Sequence, residues 1–138
     1  MKRTVIVDTG ILVAYLNREE KYHAWTKEQF SKLTPPLLSC EAVIAESCFL
    51  LSKVHDGVEK LFELLATRQI LFPFRFENEI ENIQALMLRY RNAPISFADA
   101  CLVRMSEQFA NSEVTTLDHD FKIYRKNRRQ MIPLIMPS

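Results

Sequence analysis

Short apolar runs alternate along this chain with longer stretches whose apolar residues recur at helical spacing. Thr4-Val5-Ile6-Val7 is continuous and mostly β-branched, the pattern of a strand buried on both faces. Asp8-Thr9-Gly10 follows, and Ile11 to Leu16 reads as a short helix. A second helix is predicted from Tyr22 to Leu33, closed by Pro35-Pro36. Leu37-Leu38 is a weak strand signal. Ser39 then reads as an N-cap, with Glu41 in the first turn of a helix reaching about Lys53. After a turn at Val54-His55-Asp56-Gly57, residues Val58, Leu61, Phe62 and Leu65 mark a helical stripe. Ile70-Leu71-Phe72 before Pro73 is a third strand signal. Ile80, Ile83, Met87 and Tyr90 repeat at helical spacing and stop before Pro94. Ser96-Phe97-Ala98-Asp99 has the spacing of a capping box and opens a helix to about Phe109. Val114 to Leu117 is predicted as a strand, Asp118 to Lys126 as a short helical turn, and Ile132 to Ile135 as a last strand. Strands alternating with helices imply βαβ units, hence an α/β fold with a mainly parallel sheet covered on both faces and right-handed crossovers.

Composition narrows the class. The 138 residues suit one domain, 1–138, able to bury a core without disulfides or structural metal. No apolar run approaches the roughly 18 residues that span a bilayer, so no membrane is expected. Met1-Lys2-Arg3 leads into an apolar stretch broken by Asp8, which does not read as a signal peptide. Cys40, Cys48 and Cys101 are odd in number and form no C-x-x-C pair, which suits a reducing cytoplasm. The formal net charge of +1 advertises no nucleic-acid binder, so any such role rests on a local patch.

The acidic residues have a common address. Asp8 follows the first strand and Asp118 follows the strand before it in the scheme, both at the carboxyl edge where ligands of parallel sheets bind. Asp99 lies in the first turn of the helix opened by Ser96, and Glu46 about two turns into the helix opened by Ser39. Four acids from distant segments can therefore converge. Such a cluster is unfavourable unless a cation sits in it, and oxygen ligands suit magnesium or manganese rather than zinc. One or two such ions lower the pKa of bound water and stabilise charge on a phosphodiester during in-line attack. Taken singly, Asp8, Asp99 and Asp118 also suit ordinary helix caps. Glu46 differs, because its helical neighbours Ala42, Val43, Phe49 and Leu50 are apolar, and a buried unpaired glutamate is costly.

At Val7-Asp8-Thr9-Gly10, Ser39 to Glu46, Pro94 to Ala100 and Thr115 to Phe121, the sequence resembles the PIN domain family, in particular its VapC-like toxins. The four segments occur in the family's order across nearly the whole chain. The resemblance implies a three-layer α/β/α fold and a magnesium- or manganese-dependent endoribonuclease of a type II toxin–antitoxin pair. It matches Asp8, Glu46, Asp99 and Asp118 to the family's acidic quartet and Thr9 and Thr116 to supporting hydroxyls. Asp120 could share or replace the role of Asp118. It further implies a homodimer and a small antitoxin covering the active-site groove.

Other features carry less. Lys122 to Arg129 holds five basic residues, Lys122, Arg125, Lys126, Arg128 and Arg129, and no acid. It could hold RNA phosphates with Tyr124 stacking on a base, or be a solvated helix face. His23, His55 and His119 are scattered, His119 lying between two acids. Cys48 and Cys101 suit a core rather than nucleophiles. Trp25, Phe30, Phe62, Phe74 and Phe76 suit a core or a dimer face, and the helices near Tyr22–Leu33 and Val43–Leu51 could offer a partner groove. The rivals are a non-catalytic RNA-binding PIN domain and another magnesium-dependent α/β phosphohydrolase. Asp8-Thr9-Gly10 lacks the second acid that an aspartyl-phosphate enzyme would show. A purely structural interaction protein gives Glu46 no reason to lie on an apolar face.

Overall fold

The computed structural model describes residues 3–138; Met1 and Lys2 of the predicted N-terminal reading lie outside the described residues. β1 (Thr4–Val7) is the middle of a five-stranded sheet in the order β3-β2-β1-β4-β7, with β2 at Leu37–Leu38, β3 at Ile70–Leu71, β4 at Ser112–Thr115 and β7 at Leu134–Ile135. Every pairing in it is parallel. All five strands therefore end at one edge, and the helices that follow them start there. β1 pairs with β4 in register over its whole length, Val7 opposite Thr115. This brings Asp8 and the residues after Thr115 to neighbouring places.

The helices are α1 (Thr9–Leu16), α2 (His23–Lys32), α3 (Glu41–Leu51), α4 (Gly57–Ala66), α5 (Ile80–Arg89) and α6 (Phe97–Gln108), and the architecture is a three-layer α/β/α sandwich. α1 packs on α2 and α3, and α5 packs on α6. The predicted β-branched strand earns its place: Ile6 and Val7 are fully buried, among a core that includes Ile11, Leu12, Leu102 and Met105. Buried apolar area of this kind contributes about 25 cal/mol per Å². Gly57 opens α4 because a Cβ there would approach Leu51 O to 2.5 Å. No helix among the described residues is long and apolar enough to cross a membrane.

Three local readings change. Ser39 is not the cap of α3; Cys40 is, and Ser39 Oγ instead donates to Val7 O at 2.8 Å, tying the end of β2 to that of β1. β4 stops at Thr115 rather than Leu117, because the Thr116 hydroxyl is drawn into side-chain bonding at the sheet edge. The run after Asp118 is helical only as a 3₁₀ turn, His119–Lys122. It then becomes a small antiparallel hairpin of β5 (Arg125–Lys126) and β6 (Gln130–Met131), whose turn places Asn127 and Arg128 at positive φ. Of the predicted packing aromatics, Phe74 is buried and Trp25 and Phe30 lie against the core. Phe62 and Phe76 are 53% and 45% exposed.

Candidate active site

Each aspartate is placed by the start of a helical segment. Asp8 is the N-cap of α1, and its Oδ1 accepts from Thr9 N at 2.7 Å. Asp99 is the N3 residue of a complete capping box: Asp99 N donates to Ser96 Oγ at 3.0 Å and Ser96 N donates to Asp99 Oδ2 at 3.1 Å. Asp118 caps the 3₁₀ turn, its Oδ1 accepting from Asp120 N at 2.9 Å. The capping and the functional readings are therefore compatible. The cap bonds hold the carboxylates at the carboxyl edge of the sheet.

Two threonines join the acids. Thr9 Oγ1 donates to Glu46 Oε1 at 2.8 Å, and Thr116 Oγ1 donates to Asp8 Oδ2 at 2.6 Å. Asp118 N in turn donates to Thr116 Oγ1 at 2.9 Å. A chain of hydrogen bonds thus runs from Glu46 through Thr9, Asp8 and Thr116 to Asp118 and on to Asp120. Asp99 is close enough for its charge to act on Asp8, and Asp118 on both.

The electrostatics follow from that crowding. Asp8 is only 6% exposed, and burial pushes its carboxyl up to about 7, against the pull of the Thr116 and Thr9 bonds and with the help of Asp99 and Asp118. Asp99 is also raised, first by burial, although Ser96 and Tyr124 donate to it. Asp120 is raised by desolvation and by the charge of Asp118. No arginine or lysine forms an ion pair with any of these acids among the described residues.

Glu46 is half-buried rather than buried. The apolar face predicted around it divides: Val43 is in the core, whereas Phe49 and Leu50 are 74% and 49% exposed. Its partner is Thr9, so the costly orphan of the sequence argument does not arise. Tyr124, a proposed base-stacking residue, is fully buried against Tyr90 and Phe121, and its Oη donates to Asp99 Oδ2 at 3.3 Å. Burial and the nearby acids push its hydroxyl up, so it stays a donor. No sequence signal pointed from Tyr124 to Asp99, which lies 25 residues away.

The basic segment does not form one face. Lys126 is buried with Nζ donating to Ala110 O at 3.3 Å, and Arg125 turns its guanidinium onto the carbonyls of Lys122, Ile123 and Tyr124. Lys122, Arg128 and Arg129 are exposed. His119 is exposed, His55 pairs with Asp56, and His23 Nδ1 lies 2.8 Å from Ala14 O. Cys101 is a core thiol raised by its hydrogen bond to Cys40 and by burial, which removes it as a nucleophile.

The donor set at the carboxyl edge is oxygen throughout. Asp118 also lies in hydrogen-bonding contact with the Asp120 carboxyl, and Asp99 with the Ser96 hydroxyl. Among the described residues, no three His, Cys, Asp or Glu side chains are disposed to hold a metal ion by themselves. Aspartates whose charges act on one another, with no cation of the chain paired to them, fit an ion that keeps part of its water shell, which is the habit of magnesium.

Comparison with known proteins gives the family and the fold. The model of the PIN domain matches residues 5–127. Ribonuclease VapC26 of Mycobacterium tuberculosis (strain ATCC 25618 / H37Rv) is 28% identical over 119 residues, covering 83% of this chain and 86% of that protein. The crystal structure of Mycobacterium tuberculosis VapC20, a sarcin-ricin loop cleaving toxin, superposes with a TM-score of 0.79 at 17% identity, over 94% of this chain and all of that one. A parallel sheet with capped acids at its carboxyl edge and a family match across most of its length place this chain in the PIN domain family.

Proposed function

We propose that this protein is a magnesium- or manganese-dependent endoribonuclease and the toxin of a type II toxin–antitoxin pair. One observation carries the reading: the hydrogen-bonded chain Glu46–Thr9–Asp8–Thr116–Asp118, with Asp99 beside it, gathers acids from four segments and provides no cation of its own. The 28% identity to a VapC ribonuclease supports the same substrate class. Cytoplasmic location, a homodimer and a small protein antitoxin over the site belong to this proposal as well.

Asp8, Asp99 and Asp118 would hold one or two ions directly or through water, with Asp120 as a neighbouring acid. A bound ion supplies an acidified water and neutralises charge on the phosphodiester. Thr116 orients Asp8 and pins the backbone at Asp118, Thr9 orients Glu46, and Tyr124 orients Asp99. Glu46 would position the attacking water or bind through water. Lys122, Arg128 and Arg129 remain available to RNA phosphates, whereas Lys126 is buried and committed to Ala110 O.

The test is cleavage of RNA by purified protein with Mg²⁺ or Mn²⁺, repeated with Asp8→Asn and Asp99→Asn. Cleavage by the wild type that needs the metal and disappears in both variants is the expected result. Full activity in both variants refutes the site. RNA binding without cleavage in the wild type would favour the non-catalytic reading.

A further inference from the structure

The face of α3 that carries Glu46 continues past it. Phe49 and Leu50 follow at i+3 and i+4, the spacing that puts side chains on one side of a helix, and Lys53 lies in the turn just past the end of α3 at Leu51. Phe49 and Leu50 are largely open to solvent, an unusual exposure for an aromatic and a leucine side by side. Leu50 and Lys53 then border a cleft of about 520 Å³ where the end of α1 meets the start of α4. Arg18, Lys53 and Lys60 line it, all exposed, and none of the three forms an ion pair among the described residues. Glu19 is the single carboxylate of the lining, and His55 there pairs with Asp56.

We propose that this stripe and cleft are the path of a single RNA strand leaving the acid site, with bases against Phe49 and Leu50 and phosphates at Lys53, Lys60 and Arg18. The direction of the path rests on the ribonuclease reading above. Exposed aromatic surface next to unpaired cations is the combination that binds single strands without sequence preference. The excess of positive charge complements a phosphate backbone. Continuity with Glu46 on one helix face ties the surface to the site. The basic segment 122–129 competes less well for phosphates, because two of its five cations, Arg125 and Lys126, are engaged with backbone carbonyls.

The experiment measures binding apart from cleavage. A short fluorescein-labelled single-stranded RNA of mixed sequence is titrated by anisotropy in EDTA over a salt series. Lys53→Ala/Lys60→Ala is expected to weaken binding about tenfold at low salt and to reduce the slope of log K against log salt by about 1.4, two phosphates' worth. Phe49→Ala is expected to weaken binding about tenfold with the salt slope unchanged. All three positions are exposed, so melting temperatures should stay within a few degrees. Unchanged RNA affinity in these variants overturns the path. Unchanged affinity together with a lower mass by light scattering, or with loss of antitoxin binding, overturns it too and assigns the face to a protein. If the wild type fails to cleave RNA with Mn²⁺ yet the variants lose binding as stated, the ribonuclease reading falls and the strand path stands.

Discussion

Two buried acid clusters in this protein are built on opposite principles. Glu79, at the start of α5, accepts from Arg104 Nε, Asn82 Nδ2 and Gln108 Nε2, and Arg104 also reaches Glu107 at 3.2 Å. The Arg104 guanidinium holds the Glu79 carboxyl below its ordinary range. Asp8 is as little exposed to solvent, but its partners are a backbone N–H and a hydroxyl, its charged neighbours are acids, and burial pushes its carboxyl up. The first cluster carries its own counter-charge; it joins α5 to α6, and through Glu107 Oε2, which accepts from Asn127 N at 2.7 Å, to the β5–β6 hairpin. The second is left short of positive charge. A fold that supplies a guanidinium in one place and only neutral donors in another has room at the second for a charge that is not part of the chain.

The sharpest test of this contrast is activity. Asp99→Asn and Asp8→Asn should bring metal-dependent RNA cleavage to background on a gel. Asp8→Asn should not lower the melting temperature of the metal-free protein, since it removes a charge that the fold disfavours.

The pH dependence of stability comes next. The folded Asp8 carboxyl titrates near 7 and the unfolded one near 3.8, so between those values the folded state holds more protons. Stability from this group is greatest at low pH and falls as pH rises through the window, by on the order of 4 kcal/mol in all. Metal-free protein should therefore lose melting temperature between pH 5 and pH 7.5. Mn²⁺ should restore it at pH 7.5, because a ligand bound only by the folded state raises stability. Glu79 acts in the opposite sense: its folded pKa lies below 4.5, and its contribution is lost as pH falls below that value. A melting temperature indifferent to both pH and metal across this range would remove the contrast.

Smaller effects separate positioning from neutralisation. Thr116→Val deletes the donor to Asp8 and the acceptor for Asp118 N. Cleavage should fall by about 10- to 100-fold while the protein remains folded by circular dichroism. Arg104→Met leaves Glu79 without its cation and should cost about 2 kcal/mol in urea unfolding. Activity per folded molecule should be unchanged, because the Glu79 cluster serves only the fold.

Much of this could be read along the chain, for identifiable reasons. Strand Thr4–Val7, the capping box at Ser96 and Asp99, and the helical stripe of α4 are local patterns set by side-chain shape and spacing. The three aspartates were legible because each follows a strand or opens a helix, and chain position alone then sends it to the carboxyl edge. Glu46 was identified on a premise the structure corrects: the neighbours at i+3 and i+4 are apolar but exposed. The basic segment was misread as a helical face because a count of charges does not show which ones turn inward. Lys126 finds Ala110 O and Arg125 finds three carbonyls only once the hairpin has formed.

The order of strands and helices, the acids that follow them and the likeness to PIN domains all come from the amino-acid sequence alone, since short-range periodicity and capping involve residues a few positions apart. Which acids share a hydroxyl, which aromatics stay wet and where Tyr124 sends its proton depend on parallel pairing that brings residue 8 beside residue 116. Contacts across more than a hundred residues are decided by packing, and only the folded chain displays them.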